Sequence, residues 1–162
     1  VTFDGAMHQL HLPDQVIDGF NALAHVRPPL RAEKDKELLR QGLKDGVIDA
    51  ICTHHEPLSS SAKMAPFAET LPGFTAFDTF VPLGVQLVEE GLFSPLEWVH
   101  TVTLAPATVA QMADRWMQEA GWILVDPELE WTPDKDSILS QGKNTPLIPQ
   151  TVKGKVIQTF LA

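Results

Sequence analysis

An apolar run that ends abruptly in polar side chains is the feature of this sequence that most constrains its fold. Residues 47–53 have the composition of a buried strand, and His54, His55 and Glu56 follow them without a break. Buried parallel strands end in this way where they carry reactive side chains to the rim of a sheet or barrel. The run therefore predicts an α/β fold with functional groups at the carboxyl end of this strand.

The residues before this run predict a strand and a helix that lead into it. Residues 24–30 are strand-like, and Pro28 and Pro29 exclude a helix start there. Residues 32–45 place leucines at helical spacing with charges on the opposite face, and Gly46 is a typical helix stop. A strand, a helix and a second strand in this order form a βαβ unit, which implies parallel neighbours.

Further elements are predicted on both sides of this unit. Residues 1–12 alternate loosely, as in a strand, and residues 56–75 form a long loop that leaves directly from the histidine pair. Loops of this length are commonly lids or binding loops, and the alternative is a disordered surface loop. Ser94, Pro95 and Glu97 form a capping-box helix start. Helices are predicted for residues 79–90, 94–104 and 106–121, and strands for residues 122–125 and 152–161.

Charge and composition exclude several classes of partner. Twelve basic and 21 acidic residues give a net charge of -9, which argues against nucleic acid and anionic membrane surfaces because both attract basic proteins. No apolar run is long enough to span a bilayer. Cys52 is the only cysteine, and a lone buried thiol is typical of a reducing cytoplasm. The chain begins at Val1 without a signal-peptide pattern, and we expect it to be a piece of a longer protein.

Histidines near the predicted strand ends are the first candidates for chemistry. His54 and His55 are adjacent, so they point to opposite faces of a strand and can face one ligand only if the strand has ended between them. His8 and His11 would share a face on a helix but not on a strand. Metal ligation is one interpretation of each histidine, and a structural role is the commoner one.

Charged residues beside the two predicted strands allow two interpretations each. Arg27 and Arg31 flank the Pro-Pro turn, where each could clamp a carboxylate through its guanidinium group. Each could equally be a solvated or ion-paired arginine. Asp49 lies inside the apolar run and is better explained as a cap or a partner at the bottom of the strand than as a catalytic group.

Several segments, taken in order, resemble the C-terminal portion of the dihydroorotases of the amidohydrolase superfamily. Residues 46–57 resemble the family signature Gly-x-Ile-Asp-x-Ile-Ala-Thr-Asp-His-Ala-Pro-His, and residues 25–31 resemble its Asn-Pro-Pro-Leu-Arg motif. The other matches are to a metal-ligand segment, a lid and closing motifs, at residues 1–10, 63–67, 72–74, 143–146 and 154–156. Each motif is weak alone, and the combination is specific.

The resemblance implies a fold and a reaction. The fold would be the C-terminal part of a (β/α)₈ TIM-type barrel, with the last strands and helices in residues 1–120 and part of a small β-domain in residues 121–162. The reaction would be the reversible cyclisation of N-carbamoyl-aspartate to dihydroorotate in pyrimidine biosynthesis. In the family a zinc-bound hydroxide attacks or departs, and an aspartate at the last strand handles the proton.

The sequence departs from the family where the chemistry should be. His54 occupies the position of the catalytic aspartate, and an imidazole does not reproduce the charge or reach of a carboxylate. Leu58 and Arg27 stand where the family has a substrate-contacting histidine and a substrate-binding asparagine. Gln9 replaces the second histidine of the first motif, whereas His8 is retained at the metal-ligand position. Several changes in one pocket indicate a site that no longer serves catalysis.

This pattern is similar to the noncatalytic dihydroorotase-like proteins that assemble with aspartate transcarbamoylase, which implies a structural role, no cofactor and a homo- or hetero-oligomer. The first alternative is an active dihydroorotase, in which His8 binds zinc, His54 acts as a ligand or acid–base group, and Arg27 and Arg31 grip substrate carboxylates. A weaker alternative is an amidohydrolase for another cyclic amide. We also expect the part of the protein upstream of Val1, or another copy, to cover apolar faces that this segment leaves open.

Overall fold

The protein is described here by a computed structural model in which residues 1–161 are placed. Its central element is a parallel pair of short strands, β1 (Asp4–Ala6) and β2 (Ala50–Cys52). Asp4 pairs with Ala50 and Ala6 with Cys52, so the two strands run side by side in the same direction. The crossover between them carries helix α1 (Glu33–Lys44). The structure therefore contains a βαβ unit, but its first strand is β1 and not the strand predicted for residues 24–30.

The strand predicted for residues 24–30 is wrong. A short 3-10 helix, Ala22–Ala24, is followed there by irregular chain with a cis peptide bond between Arg27 and Pro28. The physical reason is that Pro28 and Pro29 have no N–H group to donate to a strand ladder. The strand predicted for residues 1–12 is confirmed only over Asp4–Ala6, after which the chain turns into a 3-10 helix at Met7–Leu10.

The helices follow the predicted pattern with shifted bounds. Helix α1 is confirmed. The capping box predicted at Ser94 and Glu97 is also confirmed, because Ser94 accepts from the Glu97 amide and Glu97 accepts from the Ser94 amide. The single helix predicted for residues 106–121 is wrong, since Gln111 has a φ of 56° and divides it. The remaining helices are α2 (Phe77–Glu89), α3 (Pro95–Val102), α4 (Leu104–Val109) and α5 (Ala113–Glu119).

The last part of the chain forms an antiparallel hairpin. Strand β3 (Trp122–Trp131) pairs with β4 (Val152–Phe160), and β3 is longer than the strand predicted from residues 122–125. The pairing is irregular between Asp126 and Glu130, where Pro127 cannot donate to the ladder. Trp122, Ile123, Leu124 and Ile157 of this hairpin are exposed.

A single apolar core lies between the β1–β2 pair and helices α1, α2 and α3, and it fixes the position of the strand ends. Each large apolar side chain buried here contributes about 1.5–3 kcal/mol relative to exposure. Its members include Met7, Leu10, Ile51, Phe74, Leu83, Leu87, Trp98 and Leu147. Asp49 accepts from the Phe3 amide at 2.8 Å, which ties the base of β2 to β1 as the sequence suggested. Within residues 1–161, none of the helices has the length and apolarity that crossing a membrane requires.

Candidate functional site

The candidate site lies at the carboxyl end of β2, where the strand stops at Cys52. His54 has a φ of 46°, a left-handed conformation that histidine tolerates better than most residues and that turns the chain sharply. The turn brings the His54 ring edge-on to the ring of His8, with 6.2 Å between the centroids. The structure thus brings together the two histidines that sequence reasoning placed at the catalytic and metal-ligand positions.

His8 is buried and has no polar partner. Its side chain is 2% exposed and stacks on Phe74 with 4.9 Å between ring centroids. Neither ring nitrogen has a hydrogen-bond partner within the described residues. Burial, with a smaller effect from the charge of His54, lowers the pKa of His8 to about 4. A neutral imidazole with unpaired nitrogens is costly to bury, and it is the form that binds a metal ion.

Two further polar residues share the face of the strand pair that carries His54. The nearest ligand-type atoms of Asp4, Cys52 and His54 all lie within 4.8 Å of one another. Burial is the main cause that raises the pKa of Cys52 to about 12, and the hydrogen bond and negative charge of Asp4 add to it. Sequence reasoning missed Asp4 and Cys52 as site residues. The spacing of Cys52 and His54 places both on one strand face, but only the register with β1 brings in Asp4.

His55 points away from His54, as strand geometry predicts, and holds the start of α2. Its Nδ1 atom accepts hydrogen bonds from the amides of Ala76 and Phe77, each at 3.1 Å. Its ring stacks on Phe77 with 3.8 Å between centroids. Burial lowers the pKa of His55, and the negative charge of Asp78 offsets part of this effect. The neutral ring therefore caps a helix whose first amides have no partner within the helix.

Leu58 is half-buried in the loop that follows the histidine pair, and Asn144 holds its backbone. The Leu58 amide donates to Asn144 Oδ1 at 2.7 Å, and Asn144 Nδ2 donates to the Glu56 carbonyl at 2.9 Å. The Leu58 side chain fills the space next to Gly73, where an added Cβ would lie 2.8 Å from it. An apolar side chain thus stands where the resemblance expects a substrate-contacting histidine.

The arginines predicted to bind substrate are exposed. Arg31 forms an ion pair with Asp35 at 3.4 Å on the first turn of α1, and its side chain is 66% exposed. Arg27 is also exposed, next to the cis peptide bond. The structure therefore matches the solvated or ion-paired interpretation of Arg31, and substrate binding by either arginine stays a prediction.

The lid predicted at residues 56–75 is attached near the Arg27 turn through His25. Lys63 Nζ and the Gly73 amide both donate to the His25 carbonyl, at 3.0 and 2.9 Å. The His25 ring meets the Thr70 hydroxyl at 2.7 Å and stacks on Phe67 at 4.7 Å. These contacts attach the loop to the segment that precedes the Arg27 turn.

His11 lies in a separate polar cavity between α1 and α2, so it takes no part in the site. Arg40 lines this cavity and donates to the Leu10 carbonyl at 2.7 Å and to Glu90 at 2.8 Å. Burial is the main cause that lowers the pKa of His11 to about 4, and the positive charges of Arg40 and Lys36 lower it further. The negative charge of Glu90 acts in the opposite direction and raises this pKa. The fold separates two histidines that lie three positions apart in the sequence.

The buried His11 predicts a loss of stability in acid. Its pKa in the folded protein is below the ordinary value of 6.5, so unfolding takes up a proton between these values and stability falls as the pH falls. We expect about 2 kcal/mol of destabilisation from His11 between about pH 7 and about pH 4.5, to which His8 adds a change of the same sign. Urea unfolding of the full-length protein across this pH range measures the loss of stability. His11→Gln should reduce the pH dependence of the free energy of unfolding, whereas His100→Gln, at an exposed position, should not. An unchanged pH dependence in His11→Gln would contradict the prediction.

Comparison with solved structures identifies the class of fold. An L-hydantoinase (dihydropyrimidinase) from Arthrobacter aurescens superposes with a TM-score of 0.88 at 18% identity, over 99% of this chain and 38% of that one. A dihydroorotase from Saccharomyces cerevisiae in complex with 5-fluoroorotic acid gives a TM-score of 0.78 at 16% identity, over 100% of this chain and 44% of that one. The chain therefore has the fold of the corresponding part of these two proteins, which confirms the predicted fold class.

Sequence comparison then shows which proteins the chain is similar to. A dihydroorotase-like protein of Pseudomonas aeruginosa is 38% identical over 164 residues, and a dihydroorotase of Syntrophus aciditrophicus is 34% identical over 164 residues. Each match covers 99% of this chain and 38% of the relative. The chain is similar to dihydroorotases and dihydroorotase-like proteins over 99% of its length, and it spans about 38% of theirs. No family model matches the chain.

Proposed function

We propose that the protein containing this chain is a noncatalytic dihydroorotase-like protein with a structural role in pyrimidine biosynthesis. The observation that carries the proposal is the geometry of His54. Its imidazole faces His8 at 6.2 Å between ring centroids, in the position where the resemblance expects a carboxylate to handle the proton. Asp4 supplies a nearby carboxylate, but it lies two strand positions before Ala6 and next to the Cys52 thiol, and not at the strand end.

The loop that follows His54 supports the same conclusion. Leu58 presents an apolar side chain that packs against Gly73, so it offers no hydrogen bond to a polar ring substrate. A site that once bound a polar substrate through hydrogen bonds loses much of its affinity when a donor is replaced by an apolar group. Relatives at 38% and 35% identity, from Pseudomonas aeruginosa and Pseudomonas putida, carry the name dihydroorotase-like protein.

Turnover by the full-length protein tests the proposal directly. We expect no dihydroorotate hydrolysis or N-carbamoyl-aspartate cyclisation above the uncatalysed rate, with or without added zinc. His54→Asn should leave this background unchanged, as should the control His100→Asn on the exposed face of α3. A zinc-dependent rate that falls by roughly 10²–10⁴-fold in His54→Asn would contradict the proposal, because that is the usual contribution of a general acid–base group.

The structural role is proposed to be the assembly of aspartate transcarbamoylase, the partner that the resemblance implies. A barrel that has lost its base can persist for its outer surface, since fold does not dictate function. Co-expression of the full-length protein with the transcarbamoylase of the same organism, followed by sedimentation analysis, tests the partner. A stable complex that contains both chains is the expected result, and transcarbamoylase that assembles identically without this protein would contradict it.

An active zinc dihydroorotase is the second candidate, and His8 is the observation that favours it. Both His8 nitrogens lack partners in a buried position, and this fits a metal ligand. Zinc bound there would supply an activated water. His54 would then hold or move a proton, with its ring edge-on to His8. The turnover assay with His54→Asn distinguishes the two candidates.

A further inference from the structure

A cavity of about 500 Å³ lies between the start of α2, the β3–β4 hairpin and the segment that joins the two strands of the hairpin. Its lining comes from residues 77–82, 131–140 and 155–156. His8 and His54 do not contribute to it, so the cavity is separate from the candidate site at the end of β2. Cavities of about 300–1,000 Å³ suit small organic ligands. A ligand could therefore bind here whether or not the strand end is catalytic.

Two aromatic rings with fixed positions form part of the cavity wall. The Phe77 ring stacks on His55 with 3.8 Å between centroids, and Phe77 is still 61% exposed. The Trp131 indole is held by its Nε1 atom, which donates to the Gly154 carbonyl at 3.0 Å. Fixed aromatic surfaces favour a ligand with a flat ring, because stacking costs them little conformational freedom. Apolar side chains complete this wall, at Val81, Pro82 and Val156.

A lysine without a carboxylate partner lines the same cavity. Lys155 Nζ lies 5.0 Å from the centroid of the Trp131 ring, which is a cation–π distance. Within residues 1–161 this lysine forms no ion pair, whereas Lys153 on the same strand binds Glu89 at 2.5 Å and Glu128 at 2.9 Å. The positive charge of Lys155 is therefore available to an anionic group beside the aromatic wall.

The remaining polar groups of the cavity are held by hydrogen bonds within the protein. Asp78 accepts from the Leu139 amide at 2.7 Å and from the Ser140 hydroxyl at 2.9 Å, so both of its carboxylate oxygens are occupied. The Ser137 hydroxyl accepts from the Asp134 amide at 2.8 Å but donates to the Asp134 carbonyl only at a long 3.4 Å. Ser137 can therefore turn its hydroxyl hydrogen towards an anion at little cost.

We propose that this cavity binds a nucleoside monophosphate. The base lies against the Phe77 and Trp131 rings, and the phosphate pairs with the Lys155 ammonium group and accepts from the Ser137 hydroxyl. A flat ring and a negative charge on one small molecule complement the aromatic wall and the unpaired cation together. The chain has a net charge of -9, which repels free anions, so binding of a phosphate depends on a local site of this kind.

Calorimetric titration of the full-length protein tests the site without any activity readout. We expect uridine monophosphate and adenosine monophosphate to bind with dissociation constants of roughly 10–100 µM, an ordinary affinity for ligands of their size. Uridine, which lacks the phosphate, and ribose 5-phosphate, which lacks the base, should each bind at least roughly 10-fold more weakly. The proposal is overturned if neither nucleotide binds at about 1 mM, as when the upstream part of the protein fills the cavity.

Lys155→Gln is the central variant, because Lys155 is exposed and its replacement leaves the core intact. We expect it to weaken nucleotide binding by about 3–5-fold, and to remove most of the loss of affinity that added salt causes in wild type. The matched control is Lys135→Gln, which removes the same charge from an exposed position outside the cavity lining. An unchanged affinity in Lys155→Gln, or an equal loss in Lys135→Gln, would refute the phosphate contact.

Trp131→Leu tests the aromatic wall separately from the charge. Loss of a stacking surface should weaken nucleotide binding by roughly 10-fold, and an unchanged melting temperature shows that the variant is folded. If this variant does not fold, the comparison of Lys155→Gln with Lys135→Gln decides the outcome. His54→Asn should bind both nucleotides as wild type does. Loss of binding in His54→Asn would move the nucleotide to the end of β2 and overturn the proposal.

Discussion

Replacing Gly84 by alanine should destabilise the protein by about 4 kcal/mol, slightly above the usual range for overpacking a core. A Cβ atom on Gly84 would lie 2.0 Å from one carbon of the Trp98 ring and within 2.5 Å of two more atoms. Trp98 is 8% exposed and packs against Phe80, so the ring has no free space to move into. Helices α2 and α3 would have to separate. Denaturant unfolding of the full-length protein measures the loss.

Gly42→Ala is the matched control, because Gly42 also lies inside a helix. Its added Cβ would meet the flexible end of Ile48 at 3.3 Å, which a small adjustment relieves. Alanine also favours a helix over glycine by about 1 kcal/mol. We expect Gly42→Ala to be neutral or slightly stabilising. Equal effects of the two substitutions would show that close packing against Trp98 does not set the requirement for glycine.

Asn144→Ala should cost about 4 kcal/mol, because it leaves several buried groups without partners. Asn144 is 3% exposed and bonds the Leu58 amide, the Glu56 carbonyl and the Thr75 hydroxyl, at 2.7, 2.9 and 2.7 Å. It therefore ties the segment after β3 to the loop that leaves the candidate site. Besides lower stability, we expect faster hydrogen exchange at the Leu58 amide, which reports release of this loop.

Asn21→Ala is the control for this substitution. Asn21 is half-buried, accepts from the Leu23 amide at 3.2 Å and donates to the Val16 carbonyl at 3.1 Å. Its loss removes a local cap of a short 3-10 helix and should cost about 1 kcal/mol. A loss in Asn144→Ala no larger than this, or unchanged exchange at Leu58, would show that Asn144 does not hold the loop.

Motifs with a strong local signal were predictable from the sequence. The capping box at Ser94 and Glu97 and the amphipathic leucines of α1 appear where predicted, and the strand predicted for residues 47–53 is present over Ala50–Cys52. Each depends on neighbours within a few positions, so the sequence contains the whole signal. The strand predicted for residues 24–30 is wrong. Its apolar residues fit a strand, but two prolines removed the donors that a ladder needs.

The candidate site was predictable only in part. His54 and His8 were singled out through their motifs, and the structure brings their rings together. Asp4 and Cys52 were not, because their proximity depends on the register between β1 and β2, 46 residues apart in the chain. Residues so far apart in sequence meet only through the packing of the intervening helix.

By itself the sequence determined the elements and the chemistry available at the end of β2, because helix and strand formation follow local spacing and side-chain type. The tertiary structure alone decided which residues share that chemistry. It paired β1 with β2, turned His54 toward His8 and sent His55 to the start of α2. The physical reason is that strand register and a single left-handed residue set side-chain direction, and both are selected by long-range packing.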